Sequence, residues 1–448
     1  MKMNMHMRKT GARISSITVV CAAIASLAAP LYAADQLSLK ECLNAALSQN
    51  PVIADAKLGI ETTEKSMESA QGKHWPRLTA DGSYIKRQDP LPFIPAQSAK
   101  IQPHFSNEFS SLGLTLFLPL YQGGQVTNGV SLAEVRRDIQ EQVARQTTYE
   151  IMANVVNTYY KIIQLRQLRE AAAASVTALE EQQKNTKLLL ALGRIARVDF
   201  LKVEVQLANE RQRLLSIDEG IKIAASTLRY LRGEAEEKDE SEVPNLTDVP
   251  TERVFPADFP IGISLARKHR PEYLSAKQGI KEAEFSRKIA FGKLLPSVNA
   301  FAGYLQQYGS DPWYKEGNWQ TGISFSIPLF DRSLYADLSR ERIQEKRAKE
   351  KLDAIDNQIG LDVKNALTAL AESKGRIDVT KGAVEQAEES FRIEKQKYDS
   401  GAGTMVDLLL AQAASLNAAA NYIQSLFDYN AAIVAYRKAT GTLEDYLK

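Results

Sequence analysis

Gly113-Leu-Thr-Leu-Phe-Leu-Pro-Leu-Tyr121 is answered 209 residues later by Gly322-Ile-Ser-Phe-Ser-Ile-Pro-Leu-Phe330. In the first stretch Leu112, Leu114, Leu116 and Leu118 alternate with Ser111, Gly113, Thr115 and Phe117. In the second, Ile323, Phe325 and Ile327 alternate with Gly322, Ser324 and Ser326. A period of two, apolar against polar or small, predicts β-strands. Each has a companion upstream. Leu78, Ala80, Gly82 and Tyr84 alternate with Thr79, Asp81 and Ser83; Val298, Ala300, Ala302 and Tyr304 alternate with Asn299, Phe301 and Gly303. Taken singly, each reads equally as half of a soluble hairpin. Four of them, in two hairpins, fit the alternation of outer-membrane strands.

The repetition extends well beyond the strands. At an offset of 220, Pro51, Ala56-Lys57, Gly59-Ile60, Gly72-Lys73, Pro76 and Tyr84 meet Pro271, Ala276-Lys277, Gly279-Ile280, Gly292-Lys293, Pro296 and Tyr304. At 208, Gly193, Val198-Asp199, Leu201, Asn209 and Gly233 meet Gly401, Val406-Asp407, Leu409, Asn417 and Gly441. So many identities in one order indicate an internally duplicated chain. Residues 34–233 form the first unit and 261–441 the second. Between them, 234–260 is acidic and then proline-bearing, the composition of a linker or of a small accessory, equatorial region. Residues 442–448 are read as a tail.

All sixteen prolines lie outside 120–243 and 329–448. An interior proline costs a helix ~3 kcal/mol, so these two tracts are expected to be long helices. Apolar residues at spacings of three and four, such as Val155, Tyr159 and Ile162, agree. Breaks are expected near Gly193 and Gly401. At ~1.5 Å per residue, a helix over 124–190 runs about 100 Å, one over 197–232 about 54 Å and one over 52–74 about 35 Å. The two shorter helices together nearly match the long one, so they are expected to stack end to end beside it. Residues 88–108 and 306–318 are expected as loops joining the strands.

The N-terminus reads as an export signal: basic Lys2, Arg8, Lys9 and Arg13, then an apolar run from Ile14 to Ala29, with cleavage expected after Ala33. Val20 before Cys21 is too large for a lipoprotein processing site. The chain has 56 Lys+Arg and 54 Asp+Glu; removing the four basic residues of the signal leaves 52 against 54, unlike a nucleic-acid binder. Cys42 is then the only cysteine, without a disulfide partner, and is expected to be a core thiol. His74, His104 and His269 are scattered, and Gly401-Ala-Gly403 lacks the lysine of a phosphate loop. Neither a metal, a cofactor nor an enzymatic site is expected. No later segment has ~18 consecutive apolar residues, so the mature chain is expected to enter a membrane, if at all, as a barrel. Four strands cannot close around a pore, so several chains must share the sheet: eight strands from a dimer, twelve from a trimer.

The duplicated helix–strand–strand–helix order, Pro119 and Pro328 after the strands, and two tips, Leu192 to Asp199 and Tyr398 to Leu409, resemble the TolC-like outer-membrane factors of Gram-negative bacteria. The resemblance covers nearly the whole mature chain. It implies a mainly α protein with a membrane β-barrel portion: a homotrimer with a twelve-stranded barrel in outer-membrane lipid and a twelve-helix periplasmic tunnel. It implies an export duct recruited by a periplasmic adaptor and an inner-membrane pump, for efflux or type I secretion. Pro76, Pro119, Pro296 and Pro328 would mark the barrel-to-tunnel junction. Gly193, Arg194, Val198, Gly401, Gly403 and Val406 would form the tips that meet the adaptor. Asp407 would ring the aperture; a second family aspartate is replaced by Leu410. Tyr398 and Asp199 would belong to a lock whose family arginine is replaced by Gly403, with a Tyr398–Asp199 hydrogen bond expected. A purely structural alternative has both aspartates capping the returning helices. A periplasmic coiled-coil adaptor or scaffold is the rival reading, disfavoured by two hairpins where adaptors have one.

Overall fold

The computed structural model describes residues 36–93, 104–234, 244–250, 254–309 and 315–447. The segment read as an export signal, the acidic run after Glu234 and the tips of both strand connections lie outside the described residues. One order of elements runs twice. The first pass is β1 (Gln36–Leu37), α1 (Leu39–Gln49), α2 (Pro51–Gly72), β2 (Arg77–Phe93), β3 (His104–Gln122), α3 (Gln125–Ala191) and α4 (Arg197–Arg232). After β4 (Asn245–Leu246), the second pass is α5 (Phe259–His269), α6 (Pro271–Gly292), β5 (Ser297–Tyr308), β6 (Lys315–Ser326), α7 (Arg332–Asp399) and α8 (Met405–Thr440). Among the described residues no helix is long and apolar enough to cross a membrane.

The stacking expected from helix length has a specific joint. Both α4 and α8 end on a left-handed glycine, Gly233 (φ 79°) and Gly441 (φ 72°). Gly233 lies so close to the start of α2 that a Cβ there would come within 2.3 Å of the Gln49 carbonyl oxygen. Asn50, 2% exposed, caps α2 through its side-chain oxygen and donates from Nδ2 to the Leu231 carbonyl at 2.8 Å. One side chain thus closes the end of α4 and the beginning of α2. In the second pass Gly441 meets Arg270, whose guanidinium instead reaches Asp362 on α7 at 2.7 Å. The composite of α2 and α4 packs along α3, and that of α6 and α8 along α7.

The four long strands form one antiparallel sheet in the order β2-β3-β5-β6, leaving β2 and β6 as edges. Register places Ala80, Leu114 and Tyr304 in line with Trp319, and Leu78, Leu116 and Ala302 in line with Thr321. The apolar alternation of all four strands therefore falls on one face. That face is open: Leu78, Leu112, Trp319, Ile323 and Phe325 are all exposed. The strands extend further than the proline-rich sequence suggested. β2 continues to Phe93 after an irregularity between Lys86 and Leu91, and β3 begins at His104; β5 and β6 likewise run into the segment read as loop.

The waist of the long helices holds the core. Tyr149, Met152, Val156, Tyr159 and Ile162 of α3 are buried with Cys42 and Leu43 of α1; Ile359, Val363 and Ile377 of α7 are buried with Tyr429 and Ile433 of α8. The described residues between the two passes are anchored at several points. β4 pairs in parallel with β1, and Tyr159 clamps both. Its hydroxyl accepts the amides of Thr247 and Asp248 at 3.2 and 3.1 Å and lies 2.9 Å from the Leu37 carbonyl. Pro260 lies in the first turn of α5. The C-terminal residues also pack: Leu443 is buried, and Glu444 binds Arg145 and the Tyr149 hydroxyl at 2.9 and 3.0 Å.

Burial pushes the Tyr149 and Tyr159 hydroxyls up to about 12. Their folded pKa values exceed the ordinary ~10, so the stability they contribute is complete below pH ~10 and is lost as pH rises toward 12. Thermal unfolding of the purified protein should be flat to pH ~9 and then weaken steeply. Tyr159→Phe should cost about 1–3 kcal/mol at pH 7, because buried backbone amides lose their acceptor, and should shallow the alkaline decline. An unchanged midpoint in that variant would show that the clamp contributes nothing.

Candidate functional site

The two helical hairpins end side by side, and each turn is built from its last helical carbonyls. After α3, Gly193 adopts φ 72° and the Arg194 amide returns to the Leu189 carbonyl at 2.9 Å. After α7, Gly401 adopts φ 78°, and the amides of Ala402 and Gly403 both return to the Lys397 carbonyl, at 2.8 and 3.0 Å. These bonds satisfy carbonyls that helix ends leave open. The second turn wraps tightly. A Cβ on Gly403 would stand 3.0 Å from the Tyr398 amide nitrogen, so a longer residue at 403 requires the turn to loosen.

The returning helices start differently. Thr404 caps α8: its hydroxyl accepts the Asp407 amide at 3.2 Å and donates to the Asp407 carboxylate at 2.6 Å. Asp407 is thus the third residue of α8, bound by the cap, and not the cap itself. The cap of α4 is Ala196, which offers no side-chain bond, and Asp199 is again the third helical residue. Both carboxylates sit where the helix dipole favours negative charge.

A cleft of ≈ 940 Å³ separates the tips, lined by Arg194, Asp199, Tyr398, Gly401, Gly403 and Val406 together with Gln182, Lys202 and Met405. The expected Tyr398–Asp199 hydrogen bond is not formed among the described residues. Asp199 instead accepts from Lys202 at 3.3 Å. The two remain electrostatic neighbours: burial, then the charges of Asp199 and Asp399, hold the Tyr398 hydroxyl above its ordinary value. Asp407 and Val198 lie outside the cleft lining and are exposed. Met405 closes the cleft from the α8 side, 4% exposed, with Gln182 Nε2 donating to its sulfur at 3.6 Å. Neither Gln182, Lys202 nor Met405 stood out in the sequence. Met405 and Leu408, apolar three apart at a helix start, were the available signal.

At the other end, Pro76 and Pro296 immediately precede β2 and β5, and Pro328 follows β6. Pro119 lies inside β3, opposite Asn299 and next to an irregularity in register, so the strand continues past it to Gln122. The junction itself is Gly123 against Gly292. A Cβ on Gly123 would come within 2.2 Å of the Gly292 carbonyl oxygen, and Gln125 Nε2 donates to that same oxygen at 3.4 Å. Backbone thus packs on backbone where sheet and helices meet, and Gln122 joins Asn299 through their side chains. Among the described residues no group of three or more His, Cys, Asp or Glu is placed to hold a metal ion.

A short antiparallel sheet with an exposed apolar face is set on long antiparallel helices. A family model for outer membrane efflux proteins matches residues 42–234 and 262–442, and the chain belongs to that family. Nodulation protein T of Rhizobium leguminosarum bv. trifolii is 23% identical over 82% of this chain and 77% of its own length. Outer membrane efflux protein BepC of Brucella suis biovar 1 is 22% identical over 91% and 87%. Among solved structures, the outer membrane protein VceC from Vibrio cholerae superposes with a TM-score of 0.75 at 19% identity, covering 90% of this chain and 96% of that one.

Thr404→Val should cost about 1 kcal/mol at the second tip, typical of a lost helix cap. Amide exchange over 401–408 should accelerate several-fold while the waist stays protected. Equal exchange in the variant would show that the Thr404–Asp407 pair does not hold the tip.

Proposed function

We propose that the chain is one of three identical protomers of an outer-membrane exit duct, the last component of a tripartite efflux or type I secretion system. The observation that carries this is the four-stranded sheet with an apolar outer face and two open edges, β2 and β6. In hydrocarbon each unpaired backbone group costs several kcal/mol, so the edges must be paired by other copies. Two copies give eight strands, an interior that side chains fill. Three give twelve, with room for a lumen. The exposed leucines and aromatics then face lipid, and the helices hang below as a twelve-helix tunnel in the periplasm of a Gram-negative bacterium.

In this reading residues 34–233 and 261–441 are the duplicated units, and 234–260 with 442–448 belt the waist. The tips, through Gly193, Arg194, Val198, Gly401, Gly403 and Val406, are the surface offered to a periplasmic adaptor, which links the duct to an inner-membrane pump. Three Asp407 carboxylates around the axis form the aperture ring, biasing passage toward cations. Tyr398 and Asp199 act as cleft neighbours rather than as a closed lock. The Asp199–Lys202 ion pair is partly exposed, and such pairs contribute at most about 1 kcal/mol, so an adaptor has little to break.

Ile323→Arg, on the outer face, should cost about 2–4 kcal/mol if the residue lies near mid-bilayer, and less near the rim. Membrane fractionation should show the variant lost from the detergent-extracted fraction. In planar bilayers Asp407→Asn should lower cation preference. A protein released from membranes without detergent, or one indifferent to Ile323→Arg, would refute the duct.

A further inference from the structure

On the polar face of the sheet two rungs carry aromatic rings: Ile85 with Phe109, beside Arg87, toward the far end, and one that spans all four strands. Arg77, Phe117, Phe301 and Gly322 are aligned across all four strands, at the end of the sheet nearest the helices. The Arg77 guanidinium lies 5.8 Å from the centre of the Phe117 ring. The Phe301 ring lies across Gly322, where a Cβ would come within 2.9 Å of it. Glycine therefore lets the ring rest against the wall. Arg77 is exposed and, among the described residues, has no carboxylate within 4.0 Å. The next rung, Thr79, Thr115, Gly303 and Gln320, is small or polar, as expected for a wet lumen.

We infer that this rung is a binding ring for aromatic anions in transit, set where the helical tunnel enters the barrel. The inference rests on the trimeric duct, which makes this face the lumen and triples the rung. Strand spacing of ~4.8 Å and a tilt near ~40° put the walls of a twelve-stranded barrel about 24 Å apart. Arginine side chains reach inward from that wall, and their field extends a further ~10 Å at 0.1 M salt, so a passing solute meets it. A free guanidinium fork matches a carboxylate or sulfonate. The adjoining phenylalanine faces supply the surface on which an aromatic ring stacks. The sign of the Arg77 ring is opposite to that of the Asp407 aperture, so the two rings act on different cargo charges.

The test uses the full-length purified protein in planar bilayers, with 1-naphthalenesulfonate and acetate as probes. In ~0.1 M KCl, naphthalenesulfonate should reduce current through the wild-type pore. Arg77→Gln should weaken that block at least about tenfold, the scale of a lost hydrogen bond to a charged group. Phe301→Ala should weaken it about three- to tenfold, as for a lost aromatic contact, and leave acetate's weak effect unchanged. Arg77→Lys, which keeps the charge without the fork, should fall between. Block by naphthalenesulfonate that is equal in wild type and in a conducting Arg77→Gln pore overturns the ring while sparing the duct. Absence of conductance in the wild type overturns the duct reading and the ring with it.

Discussion

Everything in this chain follows from the edges of a four-stranded sheet. Hydrocarbon offers no partner for a strand's free N–H and C=O groups, and β2 and β6 carry two rows of them. A soluble protein blunts such edges with charge or covers them with a loop. Here the face between them is instead lined with exposed Leu78, Leu112, Trp319, Ile323 and Phe325. In the proposed duct the unit that satisfies these groups is larger than the chain, and the rest of the fold holds the two hairpins in place for it.

Rigidity for that task comes from length matching. α3 and α7 are each accompanied by two shorter helices joined nearly end to end, and the joints are made by backbone contact at Gly233 and Gly441. At the sheet, Gly123 meets Gly292 in the same way. Between them, the core around Tyr159 and Tyr429 locks the linking segments to the helices, the amides of Thr247 and Phe255 donating to the two hydroxyls. The far tips are held more lightly, by turn hydrogen bonds, one threonine cap and exposed ion pairs. Contacts therefore thin from waist to tip, the grading that the moving aperture of the proposed duct requires.

Much of this was legible in the sequence, because helices of such length exclude proline and strands of this kind alternate visibly. The ends of α3 and α4 fell within a residue or so of expectation. The strand ends did not, since Pro90 and Pro92 were read as loop. Pro90 lies within, and Pro92 just past, an irregularity of register on an edge strand, where a missing donor is tolerated, and Pro119 survives in β3 by a similar irregularity. The tip contacts were the least legible. Whether Asp199 takes its bond from Tyr398 or from Lys202 depends on how two separate hairpins lie together, which no spacing within either one encodes. The glycine contacts were visible as repeated residues, but their reason, backbone against backbone, appears only in three dimensions.

Native mass spectrometry of the detergent-extracted protein measures directly whether the edges are paired by three copies. A trimeric duct gives a single assembly of three chains, in which the amides of β2 and β6 exchange as slowly as those of β3 and β5. A monomer, a dimer, or a trimer whose edge amides exchange freely would contradict it.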